Sequence, residues 1–192
     1  DVANWGTATD GTGTAPSDFT TANQVFNIRN NATPTIGAAW TVSGSNSKIV
    51  IGDGTNACNF TIPSGFAVSG TVDVSANATL TNTNTSNPTL GTLNATSTVV
   101  FNAAGAQTVP IATYSNLSIS NTGSSTATAA GAIAVTSVLT VSSGSTFDMS
   151  TYALSGAALT TSGTGTIKTQ NTSATPLPTG KTWTMDVEYN GT

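Results

Sequence analysis

Apolar and small polar residues alternate in short runs along most of this chain. Lys48-Ile49-Val50-Ile51, Thr71-Val72-Asp73-Val74, Ser97-Thr98-Val99-Val100-Phe101, Leu117-Ser118-Ile119 and Val138-Leu139-Thr140-Val141 place every second side chain on one side. A period of two is that of a half-buried β-strand. Gly52-Asp53-Gly54, Pro63-Ser64-Gly65, Asn121-Thr122-Gly123 and Ser142-Ser143-Gly144 separate the runs, and these are residues that turns favour. No stretch of a dozen residues keeps apolar side chains at i, i+3, i+4 and i+7 without Gly, Pro or a Thr/Ser/Asn cluster interrupting. The pattern predicts an all-β protein.

Internal echoes narrow the architecture. Residues 67–80 align with 134–147, residues 99–103 with 187–191, and Trp40-Thr41 with Trp183-Thr184. The underlying unit is strand, turn, strand, turn, and it returns to an equivalent point after about 20 residues, the size of one β-solenoid coil. Such coils cannot bury their apolar sides alone and must stack. We therefore expect a right-handed parallel β-helix: an N-terminal cap segment over 1–35, then solenoid coils over 36–192. The cap is expected from Trp5, Pro16, Phe19 and Val25-Phe26-Asn27-Ile28. The echo at 187–191 further predicts a piece of a longer array. Tandem β-sandwich modules are the alternative, since they also show short strands and frequent turns.

Composition then limits the chemistry. Of 192 residues, 40 are Thr, 22 Ser and 18 Asn; only 12 are charged, none is His and one is Cys. The lack of His excludes a Ser-His-Asp triad, an imidazole base and His-ligated metal. One Cys makes neither an intrachain disulfide nor a thiolate zinc site. Arg29, Lys48, Lys168 and Lys181 are too few and too dispersed to neutralise a run of phosphates, so no nucleic acid is expected as a partner. No apolar run approaches the ~20 residues that span a bilayer, so no membrane insertion is expected. The start, Asp1-Val2-Ala3-Asn4-Trp5, carries no basic n-region or apolar core, as in a mature exported protein. Sparse charge also suits a stack, where each exposed position stands about 4.8 Å above its counterpart and like charges would align.

Each candidate site has a plain structural alternative. Asp186 and Glu188, at i and i+2, would project from one strand face at a spacing compatible with glycoside hydrolysis. The sequence puts no basic group or aromatic platform beside them, and two solvated charges are the simpler assignment. The runs 10–14 and 52–56 have the Asp, Asn and Gly of Ca²⁺ loops but lack alternating acidic ligands, so turns are expected and no cofactor or metal. Thr79, Thr81, Thr83 and Thr85 share one side by period two and form a possible ligand face, which could order water and bind ice if neighbouring coils repeat it. Asn-X-Ser/Thr at Asn31, Asn59, Asn77, Asn84, Asn94, Asn116, Asn171 and Asn190 is close to chance frequency in so Thr-rich a chain. Cys58 is expected to pack as a small hydrophobe. The aromatic residues, spread thinly, are expected at rung ends or the cap.

The stretch 98–110, followed by Tyr114-Ser115-Asn116-Leu117-Ser118-Ile119 and by 133–149, resembles the repetitive β-helical segments of large surface proteins exported by type IX secretion in Bacteroidetes. The resemblance covers about two thirds of the chain and implies an elongated extracellular or cell-surface stalk or adhesin, with no catalytic residue to carry over. Its implied partners are cell-surface glycans, neighbouring copies, further repeats of the same chain, and the secretion machinery. The expected function is thus a non-enzymatic structural or adhesive rod. A carbohydrate-binding or ice-binding face on the same solenoid is the alternative.

Overall fold

The computed structural model describes residues 2, 5–8, 12–29 and 33–191. The first two coils hold β1 (Val25–Ile28), β2 (Trp40–Thr41), β3 (Lys48–Ile51), β4 (Cys58–Ile62) and β5 (Val68–Ser69). Next come β6 (Thr71–Val74), β7 (Ala78–Asn82), β8 (Thr89–Leu93), β9 (Thr98–Phe101) and β10 (Gln107–Val109). Then follow β11 (Thr113–Ile119), β12 (Thr126–Ala129), β13 (Ile133–Val141) and β14 (Thr146–Asp148). The last are β15 (Leu154–Ser155), β16 (Thr160–Ser162), β17 (Thr166–Thr169) and β18 (Asp186–Tyr189).

Every strand pairing among the described residues is parallel. Parallel pairing throughout excludes the antiparallel sandwich modules. The chain is a right-handed β-solenoid of about 8 turns. Its first face is the sheet β1-β3-β6-β8. Its second runs β4-β7-β9 and continues through the C-terminal halves of β11 and β13 to β16. A third side carries β2 and β5, and further along the sheet β10-β12-β14-β17-β18.

Stacked partners confirm the coil length. Lys48 pairs with Thr71 and Thr71 with Thr89 on the first face, while Thr126, Thr146, Thr166 and Asp186 follow one another every 20 residues on the third. The echo between 67–80 and 134–147 has a different meaning. It lays β6, on the first face, over the second-face half of β13, and it lays 78–80, on the second face, over 145–147, on the third. The echoing sequences are sides of different faces, chemically alike because every side needs the same alternation.

Inward positions form apolar ladders along the rod. Phe60, Leu80, Val99, Leu117 and Leu139 stack in register on the second face, and each is at most 1% exposed. Burial of such side chains stabilises by about 1.5–3 kcal/mol each. The stack begins earlier than the expected boundary at 36: β1 pairs with β3, and Phe26 and Ile28 belong to the core. Above this first coil, Trp5 packs on Phe26 and Trp40 at centroid distances of 5.4 and 5.1 Å, and Phe19 packs on Phe26 at 5.0 Å. Aromatic residues far apart in sequence thus close the N-terminal end.

Two local devices accommodate the stacking. At Gly163, φ is +88°, and an added Cβ would run into the carbonyl oxygen of Val141 on the preceding coil, so only glycine turns there. On the first face, β8 carries a bulge opposite Asp73. The Asp73 carboxylate fills it, accepting the Thr92 N–H at 2.7 Å and the Lys48 ammonium at 2.6 Å.

Candidate functional site

The second face presents a two-row array. One outward row runs Asn59, Thr79, Thr98, Asn116, Val138, Thr160. The other runs Thr61, Thr81, Val100, Ser118, Thr140, Ser162. All twelve positions are exposed or half-exposed, and none is charged. The first face carries Lys48 and Asp73, and the third Asp148, Lys168, Asp186 and Glu188. Among the described strands, charge is confined to the other two sides.

The four threonines singled out from the sequence do not all lie in this array. Thr79 and Thr81 stand in its two rows on β7. Thr83 follows the strand, and its hydroxyl donates to the Ile62 carbonyl at 2.9 Å, which ties it to the preceding coil. Thr85 lies in the turn beyond, outside the strand. The remaining members of the array come from other coils, stacked at intervals of 18 to 22 residues; four of these ten are Thr, and the others are Asn, Ser or Val. The constant spacing that sequence reading missed is on the third face, where Thr126, Thr146 and Thr166 stack directly.

Asp186 and Glu188 share the outer side of β18, as expected, but a basic group does accompany them. Lys168, one rung below, lies 3.1 Å from Glu188. The Asn190 amide and then Lys168 hold the Glu188 carboxyl below its ordinary value. Asp148 is stacked on the other side of Lys168, so this ladder alternates in sign. That arrangement makes the pair part of a charge ladder on an open face.

Of the loops, 10–11 lie outside the described residues, as does Asn31. Asp53 folds on its own turn: the Asn56 side chain, then the Asn56 and Thr55 backbone N–H groups, lower its carboxyl to about 2. Its oxygens are engaged within the turn. Cys58 is 1% exposed, and its thiol donates to the Ile28 carbonyl at 3.3 Å; burial raises its pKa. Asn84 is buried, its amide donating to the Pro63 and Ser64 carbonyls, so that sequon is structural. Together with Asn82, Gln107 and Asn121 it forms a polar corner inside the rod.

Fold and surface define the class: a parallel β-solenoid whose outer faces are mostly hydroxyl, amide and methyl groups. No family model matches the chain, and neither a curated protein nor a solved structure does.

Proposed function

We propose that this chain is a non-enzymatic structural and adhesive segment, the β-solenoid rod of a secreted or cell-surface protein. The observation that carries the reading is one apolar core running unbroken through about eight coils. At a rung spacing of ~4.8 Å that core stiffens a rod of roughly 35 Å. A rigid, sparsely charged rod suits holding a contact surface away from a cell. Export by a type IX route follows from the resemblance to Bacteroidetes surface segments alone.

Beads coated with the chain are expected to adhere to cells or to immobilised surface glycans above the level of beads coated with a globular β-protein of equal charge. Adhesion equal to that control would overturn the adhesive role. Protease treatment of intact source cells is expected to remove the segment; its survival until lysis would overturn the surface location.

The uncharged second face favours a second reading, contact with an ice surface. Twelve outward Thr, Ser, Asn and Val positions on six consecutive rungs offer regularly spaced methyl and hydroxyl groups without a charge to hold disordered water. Thermal hysteresis that Thr81→Lys abolishes would support this reading, and its absence in the unmodified chain would end it.

A further inference from the structure

Of the 18 asparagines in the chain, one alone precedes a glycine, Asn190. The backbone nitrogen of the following residue is the nucleophile nearest to an asparagine amide carbon. Every residue except glycine hinders its approach with a Cβ, so Gly191 leaves the path open where the other asparagines have it obstructed.

The fold leaves this dipeptide free to turn. Among the described strands β18 pairs only with β17, and it ends at Tyr189, so Asn190 and Gly191 lie just past it. An extended backbone holds the next nitrogen away from the side chain, and ring closure needs rotation about the Asn190 Cα–C bond. Before that bond, the Asn190 N–H is tied to the Thr169 carbonyl at 2.8 Å. After it, the Gly191 N–H has no acceptor among the described residues. The Asn190 side chain is exposed on the outer side of β18, where its Nδ2–H donates to the Glu188 carboxylate at 2.9 Å.

We infer that Asn190 is a site of spontaneous modification, converting to aspartate and isoaspartate through a succinimide closed by the Gly191 nitrogen. The Gly191 N–H gives its proton to solvent, and its nitrogen bonds to Asn190 Cγ. The Cγ–Nδ2 bond breaks, and ammonia leaves with a proton taken from water. A second water then adds to one of the two ring carbonyls and reopens the ring, so nothing is oxidised or reduced.

The product alters the charge ladder. Position 190 gains a carboxylate beside Glu188 and loses the amide donor that Glu188 now accepts. Lys168, stacked between Asp148 and Glu188, is the only cation of that ladder. Like charges on one side of a strand repel, so the modified β18 is held more loosely.

The test incubates the full folded chain in mildly alkaline buffer, with tryptic digestion at intervals. Peptide 182–192 contains Asn190 and no other asparagine, and it is expected to gain about 1 Da as NH2 becomes OH. The rate should rise in proportion to hydroxide concentration. Gly191→Ala should slow the gain about tenfold or more, a barrier raised at the ring-closing step. Its Cβ would crowd the Tyr189 ring, so Asn190→Gln, which leaves Gly191 in place, serves as a second blocked variant. Asn190→Asp, the product charge without the wait, should speed amide hydrogen exchange over 186–190. No gain while a free peptide of residues 182–192 converts fully, or a faster gain at another asparagine, would overturn the assignment. So would a gain indifferent to Gly191→Ala. Unchanged exchange in Asn190→Asp would overturn the loosening of β18.

Discussion

Asn77 and Thr96 stand one coil apart at the corner between the first and second faces and are joined twice. The Thr96 hydroxyl accepts the Asn77 backbone N–H at 3.1 Å and donates to Asn77 Oδ1 at 3.0 Å. Both residues have left-handed backbones, with φ of 61° and 64°. A β-branched residue there is strained by roughly 1–2 kcal/mol, and the corner holds it through these bonds. Thr96→Val keeps the branching and removes the hydroxyl. Its expected cost is about 2 kcal/mol, read as a lowered denaturation midpoint with an unchanged m-value.

A second prediction concerns the buried polar corner. The Gln107 amide donates to the Asn82 and Asn84 carbonyls, and its oxygen accepts from the Ala103 N–H and the Asn121 amide. Gln107→Leu fills the volume but orphans those groups. Chemical denaturation should show a loss of about 3 kcal/mol, larger than for most polar substitutions. A neutral result would mean that water replaces the side chain there.

Adjacent positions on β13 test the register. Leu139 is fully buried, whereas Thr140 points outward between Ser118 and Ser162. Leu139→Ala is expected to cost about 2–5 kcal/mol. Thr140→Lys should stay within about 0.5 kcal/mol, as outward substitutions do. Reversed magnitudes would mean a register slipped by one residue.

The strand content, the turn residues and the coil of about 20 residues were legible in the sequence, and so was the outward direction of Thr79 and Thr81. What stayed hidden has one physical cause: the three sides obey the same alternation, so a sequence match cannot tell a step to the next side from a step to the next coil. Residues 67–80 and 134–147 match for that reason while lying on different sides. The two-row array was invisible because its members are brought together only by stacking. Lys168 beside Glu188 and Trp5 beside Trp40 were hidden likewise, one pair 20 residues apart and the other 35. Asn82, Gln107 and Asn121 gave no sign of burial in a chain rich in similar polar residues.

The cap carries a pH signature. Backbone N–H groups of Thr20 and then Thr21, with the Thr21 hydroxyl, lower the Asp18 carboxyl from 3.8 to about 2. A pKa depressed by folding gives stabilisation that is present above 3.8 and is lost as pH falls through 2. Fluorescence of Trp5 and Trp40, which pack near Phe19, should therefore change on acidification within that window. Asp18→Asn should flatten the change without altering coil content in circular dichroism. A transition of the same size in that variant would assign it to another carboxylate, Asp53 being the first to examine.

Because each coil bonds only to the coils beside it, the hydrogen bonds between rungs lie along the long axis of the rod. Tension applied at its two ends opens one rung at a time instead of shearing all of them together. Every released coil trades about 5 Å of height for roughly 70 Å of extended chain. A rod built this way yields in small steps under load and limits the peak force at its two ends.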